Sequence, residues 1–460
     1  MAKVLSAETV RRYKVGDKVV REVVLGVDAA VGTTQTARRI VVLGGTGHVG
    51  SYLCPLLASD PNNNVICISR GQSKPYPALS ATFHADNWWD RRTFGPSIQR
   101  QLHRHQKTSN TNTTFLEQYA SEGWDRVQHI TLDRGTTAKE DFNFVGAVVA
   151  LDPHVVIDLI CFTQDSCARL IKGLKRSCTN MGHFVHLGSI WIYGPSATVP
   201  TYEDDVVEEP LCEYGRGKLD IQRYLLTEAT LGRCSFHISI LHPGHIVGVG
   251  WCPLNPEGHF DPAVFLNMRD LAVPVQLPHR GLATLHHVHA IDVANAVIAI
   301  LDQPEKASGE AFHIVSPQAL TMRGYALQIS RRLFGHAPLM QFPSTWSEFA
   351  HEVGPDKAAM SKDHVDHSPH CSVDKLKEKL GFVPAYSSLD AIEECVQWLL
   401  EQDHGKLIER IKYPGKQTVI PNKEYADALS TLLGKMKEEL PSSPTHRTPW
   451  KKTAGAEHII

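Results

Sequence analysis

Residues 40–50 read Ile40-Val41-Val42-Leu43-Gly44-Gly45-Thr46-Gly47-His48-Val49-Gly50, and the architecture follows from them. Four apolar residues without alternation predict a short strand covered on both faces. The glycines then satisfy GxGxxG at 45, 47 and 50, and GxxGxxG at 44, 47 and 50. Glycine at these places lets the backbone turn sharply and approach a pyrophosphate with no Cβ in the way. A helix follows, expected from Ser51 onward, whose first N–H groups and positive dipole end suit an anion. Strand, glycine turn and helix in this order predict a bound dinucleotide, with a purely structural turn as the alternative.

Working outward, Val65–Ser69 reads as the second strand. It ends in Ser69-Arg70-Gly71, with no carboxylate of the kind that binds ribose hydroxyls in an NAD site. A guanidinium suits a 2′-phosphate, so NADP is expected at Arg70, with NAD as the alternative; a solvated surface arginine is the plain reading. Residues 72–124 break the rhythm with Gln, His, Asn, Thr and Arg and carry Trp88-Trp89, as an insertion would. Alternation then resumes. Val127–Leu132, Val155–Ile160, His183–Leu187 and Ile238–Leu241 read as strands, with helices over Phe142–Ala150 and Ser166–Leu174. Strands alternating with helices imply an α/β fold with a doubly wound parallel sheet. From Val247 the chain is richer in Pro, Gly and His, as a smaller C-terminal substrate-binding lobe would be. A helix is expected from Asp292, with Asp292 as its cap, and another over Ser387–Gln402, with Ser388 or Asp390 near its cap. The expected organisation is an extension over 1–38, a dinucleotide-binding domain over 39–246, the lobe over 247–411 and a tail over 412–460.

Bulk properties exclude little. The chain has 460 residues, 42% of them hydrophobic, and a formal net charge of −2, which implies neither a nucleic-acid partner nor an anionic membrane surface. Ten cysteines occur with no CxxC pair, as in a reduced cytosolic protein. The mixed-charge start resembles neither a signal nor a transit peptide, and no apolar run approaches the length of a membrane span. A cytoplasmic location is expected.

Tyr214-Gly215-Arg216-Gly217-Lys218 places a phenol and an ammonium four residues apart, on one face of a helix. A neighbouring cation lowers a phenol's pKa by favouring phenolate. Such a pair can exchange a proton with a substrate hydroxyl while a hydride moves to or from a nicotinamide. Ser189, at the end of the strand His183–Leu187, adds a hydroxyl for the same substrate oxygen. Together with GGTGHVG, VVIDLICFT, HLGSIWIYG, YGRGK, LHPGHIVG and VDKLKEKLGFVP, this set resembles the extended short-chain dehydrogenase/reductase family, the NAD-dependent epimerase/dehydratase type that includes UDP-sugar epimerases. The resemblance covers residues 39–402 apart from the insertion. It implies a Rossmann fold and catalysis by Ser189, which precedes Tyr193-Gly194 by the family's spacing, by Tyr214 and by Lys218, which would also hold the nicotinamide ribose. It further implies a small-molecule substrate and a homodimer built partly on the Tyr214 helix. Cofactor contacts are expected from Gly44, Gly45, Thr46, Gly47, His48, Val49 and Gly50. Further contacts are expected from Ser69, Arg70, Asp133, Ile160, Cys161, Lys218, His242 and Pro243.

The departures narrow the reaction. In the family's dehydratases an Asp-Glu pair follows the catalytic threonine, and decarboxylases carry a glutamate there. Here Ile190 and Trp191 stand in their place, which disfavours both reactions and leaves epimerisation or carbonyl reduction. Trp191, Trp251 and Phe265 are candidates for an apolar pocket, and His287 for a substrate contact. A non-catalytic reading also exists, because some chloroplast relatives bind RNA; the insertion's Arg91, Arg92, Arg100, Arg104 and Lys107 would be its basis, against the acidic net charge. Asp363–Cys371 is crowded with His and Asp but lacks a second ligand cluster. It reads as a polar loop, and no metal is expected.

Overall fold

Strand β1 (Arg38–Leu43) has no polar face over its last four residues: Ile40 and Val42 enter one hydrophobic core, and Val41 and Leu43 enter another. A strand alternates its side chains, so an unbroken apolar run requires an apolar layer on each side. In the computed structural model β1 sits inside a seven-stranded sheet. The other strands are β2 (Asn63–Ser69), β3 (Gln128–Thr131), β4 (Val155–Asp158), β5 (His183–Leu187), β6 (His237–Pro243) and β7 (Glu310–Ile314). Their order is β7-β6-β5-β4-β1-β2-β3, and every pairing is parallel. The α/β doubly wound parallel sheet read from the sequence is therefore present.

The structure describes residues 13–15, 18–20, 37–70, 124 and 126–401, apart from 136, 197, 206 and 208. The chain divides into two units, residues 1–29 with 418–460, and residues 30–417. In the first, Tyr13–Val15 and Lys18–Val20 pair as an antiparallel hairpin. The rest of the description concerns the second. The expected insertion, Trp88-Trp89 and the basic residues of the RNA reading included, lies outside the described residues except for Trp124, and so does the tail over 412–460.

Helix α1 (His48–Ser59) begins three residues earlier than expected, so Gly47 is its cap and Gly50 lies in its first turn. It packs on one face of the sheet with a second helix, numbered α5 below. On the other face lie α2 (Ala138–Ala150), α3 (Gln164–Ser177) and α4 (Glu213–Thr230). Thr137 and Glu140 form a reciprocal capping box at the start of α2, which satisfies two otherwise unpaired N–H groups. Helix α5 (Ala290–Asp302) sends Val293, Val297 and Ile300 into the core that holds Leu53 and Leu57. No described helix is long and apolar enough to cross a membrane.

A third core lies in the C-terminal part, built from Val247, Leu254, Phe265, Tyr325 and Ile392 among others. Phe265 is fully buried there, so it is a core residue and not a pocket residue. Strand β7, which the sequence reading did not identify, comes from this part of the chain and pairs with β6.

Two local expectations need correction. Asp292 does not cap α5: His289 does, its Nδ1 accepting the Ile291 N–H at 3.0 Å. The Asp292 carboxylate instead accepts the N–H groups of Ala385 and Tyr386 at 2.8 and 3.0 Å, and so fixes the approach to the last described helix, numbered α7 below. The stretch from Asp363 is not a loop, because residues through His367 close helix α6 (Pro355–His367), which ends at Ser368 with φ +38°. At the start of helix α7 (Ser388–Glu401), Ser388 and Asp390 lie near the cap as expected: the Ser387 hydroxyl accepts the Asp390 N–H and donates to the Asp390 carboxylate, while Ser388 donates to the Gln318 carbonyl. Removing the Asp292 carboxylate strands a buried donor, so Asp292→Ala should cost about 1–3 kcal/mol, read as a lower urea midpoint; an unchanged midpoint would contradict this role.

Candidate active site

Between β1 and β4 the order of strands reverses direction. Doubly wound sheets take their ligands outside the carboxyl ends of the strands at such a point. A cleft of about 520 Å³ lies there. Gly44, Gly47, His48, Val49 and Gly50 form one wall. Gly44 has φ +85°, and a Cβ on it would meet Ile160 Cγ2 at 2.3 Å. A Cβ on Gly50 would meet the Gly45 Cα at 2.4 Å, so helix and turn touch backbone to backbone. A Cβ on Gly47, which lines the cleft, would meet the Gly44 carbonyl oxygen at 3.2 Å and, chain neighbours aside, no other atom within 4 Å among the described residues. The shape is a cradle at a helix N-terminus whose cap has no side chain of its own. It fits the pyrophosphate of a dinucleotide.

Helix α4 brings Tyr214 and Lys218 to the opposite wall. Lys218 is 2% exposed. Its ammonium donates to the Cys161 carbonyl at 2.8 Å and the Leu187 carbonyl at 2.7 Å, the chain segments that leave β4 and end β5. Loss of water pulls its pKa down to about 8, against the opposing pull of Cys161 and Asp158. Tyr214 is 43% exposed, and the Ser189 side chain favours its phenolate. Burial raises the phenol's pKa more than Ser189 lowers it. The expected lowering by the neighbouring lysine is thus not what this geometry produces. The ammonium lies 5.8 Å from the Tyr214 ring centroid and is already engaged by two carbonyls.

Ser189 is held by its surroundings. Its N–H donates to His242 Nδ1 at 2.9 Å, and its hydroxyl accepts the Trp191 N–H at 3.2 Å. His242 Nε2 faces the Gln222 amide oxygen on α4, so the imidazole is neutral with its proton on Nε2. A Cβ on Gly188 would strike His242 Nδ1 at 2.2 Å. His242, expected at the cofactor, is instead a fully buried brace behind Ser189; its neighbour Pro243 does line the cleft. The two glycines of YGRGK serve close approach as well. Cβ atoms on Gly215 and Gly217 would meet the carbonyl oxygens of Trp191 at 2.2 Å and Phe162 at 2.4 Å.

The remaining expected residues divide. Ile160 lines the cleft, whereas the Cys161 side chain is buried and contributes its carbonyl to Lys218. Thr46 is buried, and Gly45 rests against the sulfurs of Cys54 and Cys67. Ser69, Arg70 and Asp133 stand at the ends of β2 and β3 and are not among the residues that line this cavity. Arg70 is exposed, and Asp133 accepts the Gly135 N–H at 3.1 Å. All ten cysteines are free thiols.

Several participants were not legible beforehand. Arg134 is buried and pairs with both Asp158 oxygens at 3.0 and 2.8 Å, while Asp158 accepts the Ile160 N–H at 3.2 Å. The pair clamps the loop that carries Ile160 and Cys161. A lone arginine in a loop gives no pattern from which to read this. Trp191 and Trp251 line the cleft as expected, joined by Phe162, His245, Phe260 and His364. His287 does not reach it: fully buried, it lies behind His245, with ring centroids 5.8 Å apart, and against Tyr325.

Residues 164–314 match the model of the NAD dependent epimerase/dehydratase family, a span that includes Ser189, Tyr214 and Lys218 but not the glycine turn. No curated protein matches the chain in sequence. Among solved structures, UDP-glucuronic acid 4-epimerase from Bacillus cereus in complex with NAD is similar at 16% identity and TM-score 0.52, over 79% of this chain and 99% of that one. Epimerase Mth375 from Methanothermobacter thermautotrophicus is similar at 17% identity and TM-score 0.54, over 82% and 95%. The chain has the fold of the extended short-chain dehydrogenases/reductases. Within it, residues 164–314 are similar to the NAD dependent epimerase/dehydratase family.

Two outcomes follow from this geometry. By helix propensity alone Gly217→Ala would stabilise α4 by about 1 kcal/mol; the 2.4 Å approach to Phe162 predicts a loss of about 1–3 kcal/mol instead. The sign of the shift in a denaturant titration decides. Lys218, near 8 when folded and about 10.4 when unfolded, gives up its proton first in the folded state. Its contribution to stability should therefore rise between those two values as pH increases. Lys218→Met should remove that rise, and a pH dependence identical to the parent's would contradict the assignment.

Proposed function

We propose that the protein is a nicotinamide-dinucleotide-dependent enzyme that interconverts a carbinol and a carbonyl on a small molecule. It acts either as an oxidoreductase or, keeping its cofactor through both half-reactions, as an epimerase. The observation that carries this reading is the convergence of Tyr214, Ser189 and Lys218 on the same cleft as the glycine turn. Gly44, Gly47 and Gly50 would hold the pyrophosphate, and Lys218 would lie at the nicotinamide end. Arg70 favours NADP through its guanidinium. When bound, the dinucleotide supplies the hydride acceptor or donor.

The chain's own residues handle the proton. The Tyr214 phenol, kept protonated at neutral pH by its raised pKa, donates to a carbonyl oxygen that is becoming an alkoxide. In the reverse direction its phenolate accepts the proton, and a pKa held above the ordinary value makes that form scarcer at neutral pH. Ser189, which lines the same cleft, would hold the same substrate oxygen. Lys218, its ammonium engaged by two carbonyls 5.8 Å from the ring centroid, would hold the nicotinamide ribose rather than tune the phenol. Dehydration is not proposed, because Ile190 and Trp191 follow Ser189 and offer no acid–base group.

Mass spectrometry of the nucleotide released on denaturing fresh protein separates the two modes. Stoichiometric NAD(H) would favour the epimerase and remove the argument from Arg70. Empty protein that binds NADPH more tightly than NADH would favour the dissociable-cofactor reductase. In either case Tyr214→Phe should lower turnover by at least about 100-fold with cofactor affinity unchanged, and a fully active variant would overturn the catalytic assignment.

A further inference from the structure

We infer that the substrate half of this cleft is built for an uncharged aryl ketone or aryl carbinol rather than a sugar nucleotide. The inference rests on the reading above and names the substrate class of the same site. Trp191 stands two residues beyond Ser189, and its carbonyl is pressed against the first turn of α4 at Gly215. Trp191 lines the same cleft as Ser189 and Tyr214. Neighbouring rings hold its indole in place. It stacks on His367 with centroids 4.4 Å apart at 22°, and meets His364 edge-on at 5.1 Å and His245 at 6.2 Å. Phe260 meets the His364 ring at 6.1 Å. Elsewhere in the wall Trp251 is stacked on His48 at 5.3 Å and 7°. Planar faces already fixed by their neighbours lose little freedom when a ligand ring stacks on them, and aromatic pairs add attraction beyond the area they bury.

Electrostatics favour the same class. Burial pulls His364 and His367 down to about 4 and His245 well below the usual imidazole range. The imidazoles around Trp191 are therefore neutral at physiological pH. Lys218 is the ammonium in the wall among the described residues, and two carbonyls already engage it. Asp363 adds a carboxylate to the lining. A substrate pyrophosphate laid along these residues would face neutral rings and a negative charge, where a neutral aryl group would face matched surfaces.

The test is calorimetric binding to the full-length protein saturated with NADPH, with acetophenone and UDP-glucose as probes. Acetophenone is expected to bind saturably and UDP-glucose not to compete with it. Trp191→Ala and, as a more exposed position, Trp251→Ala should each weaken acetophenone by about 3–10-fold. Tyr214→Phe should abolish the NADPH oxidation that acetophenone supports. Protein that binds NADPH but not acetophenone would overturn the substrate class and leave the enzyme reading standing. Saturable UDP-glucose binding that displaces acetophenone would do the same. Failure to bind either reduced dinucleotide would remove both.

Discussion

A buried ammonium must be surrounded by acceptors or it is intolerably costly, and Lys218 is such a group. Its two acceptors are main-chain carbonyls, Cys161 beyond β4 and Leu187 at the end of β5. The charge therefore binds the start of α4 to the segments leaving two adjacent strands. Tyr214 lies one turn before it on the same helix, and Ser189 lies two residues past Leu187. Holding the lysine thus places both hydroxyls. Beneath it, the Arg134–Asp158 pair secures the loop that supplies the Cys161 carbonyl, so one buried cation is supported by another.

Close backbone approach is the second constraint. Glycine weakens a helix interior by about 1 kcal/mol relative to alanine, yet α4 carries two in its opening turns. Each lets a loop carbonyl, from Trp191 or from Phe162, come nearer than any side chain would permit. The same logic operates at Gly44 and Gly50 across the cleft. In both walls segments of backbone are brought into direct contact.

Much of this was legible in the chain itself. The apolar run at 40–43, the glycine turn and the YxxxK spacing are local signals, and each landed where its periodicity or backbone requirement put it. The errors share one cause. Asp292 looked like a cap because a carboxylate opening an apolar stretch usually is one, but its partners lie more than ninety residues away at Ala385 and Tyr386. His242 looked like a cofactor contact by its place after a strand, whereas Gln222 and Ser189 turn its ring into the interior. The Asp363–His367 stretch read as a loop from its polarity, yet His364 and His367 are buried by Trp191.

By itself, then, the sequence determined the sheet, the place of the glycine cradle and the tyrosine–lysine pair, because these depend on residues within a few positions of one another. Only the tertiary structure decided which histidines are braces and which form walls. It also decided that a lysine is satisfied by two carbonyls and that an indole from 191 meets rings from 245, 364 and 367. Burial and ring contact are properties of neighbours in space, and a pattern of period two or three-and-a-half holds no record of which distant segment will supply them.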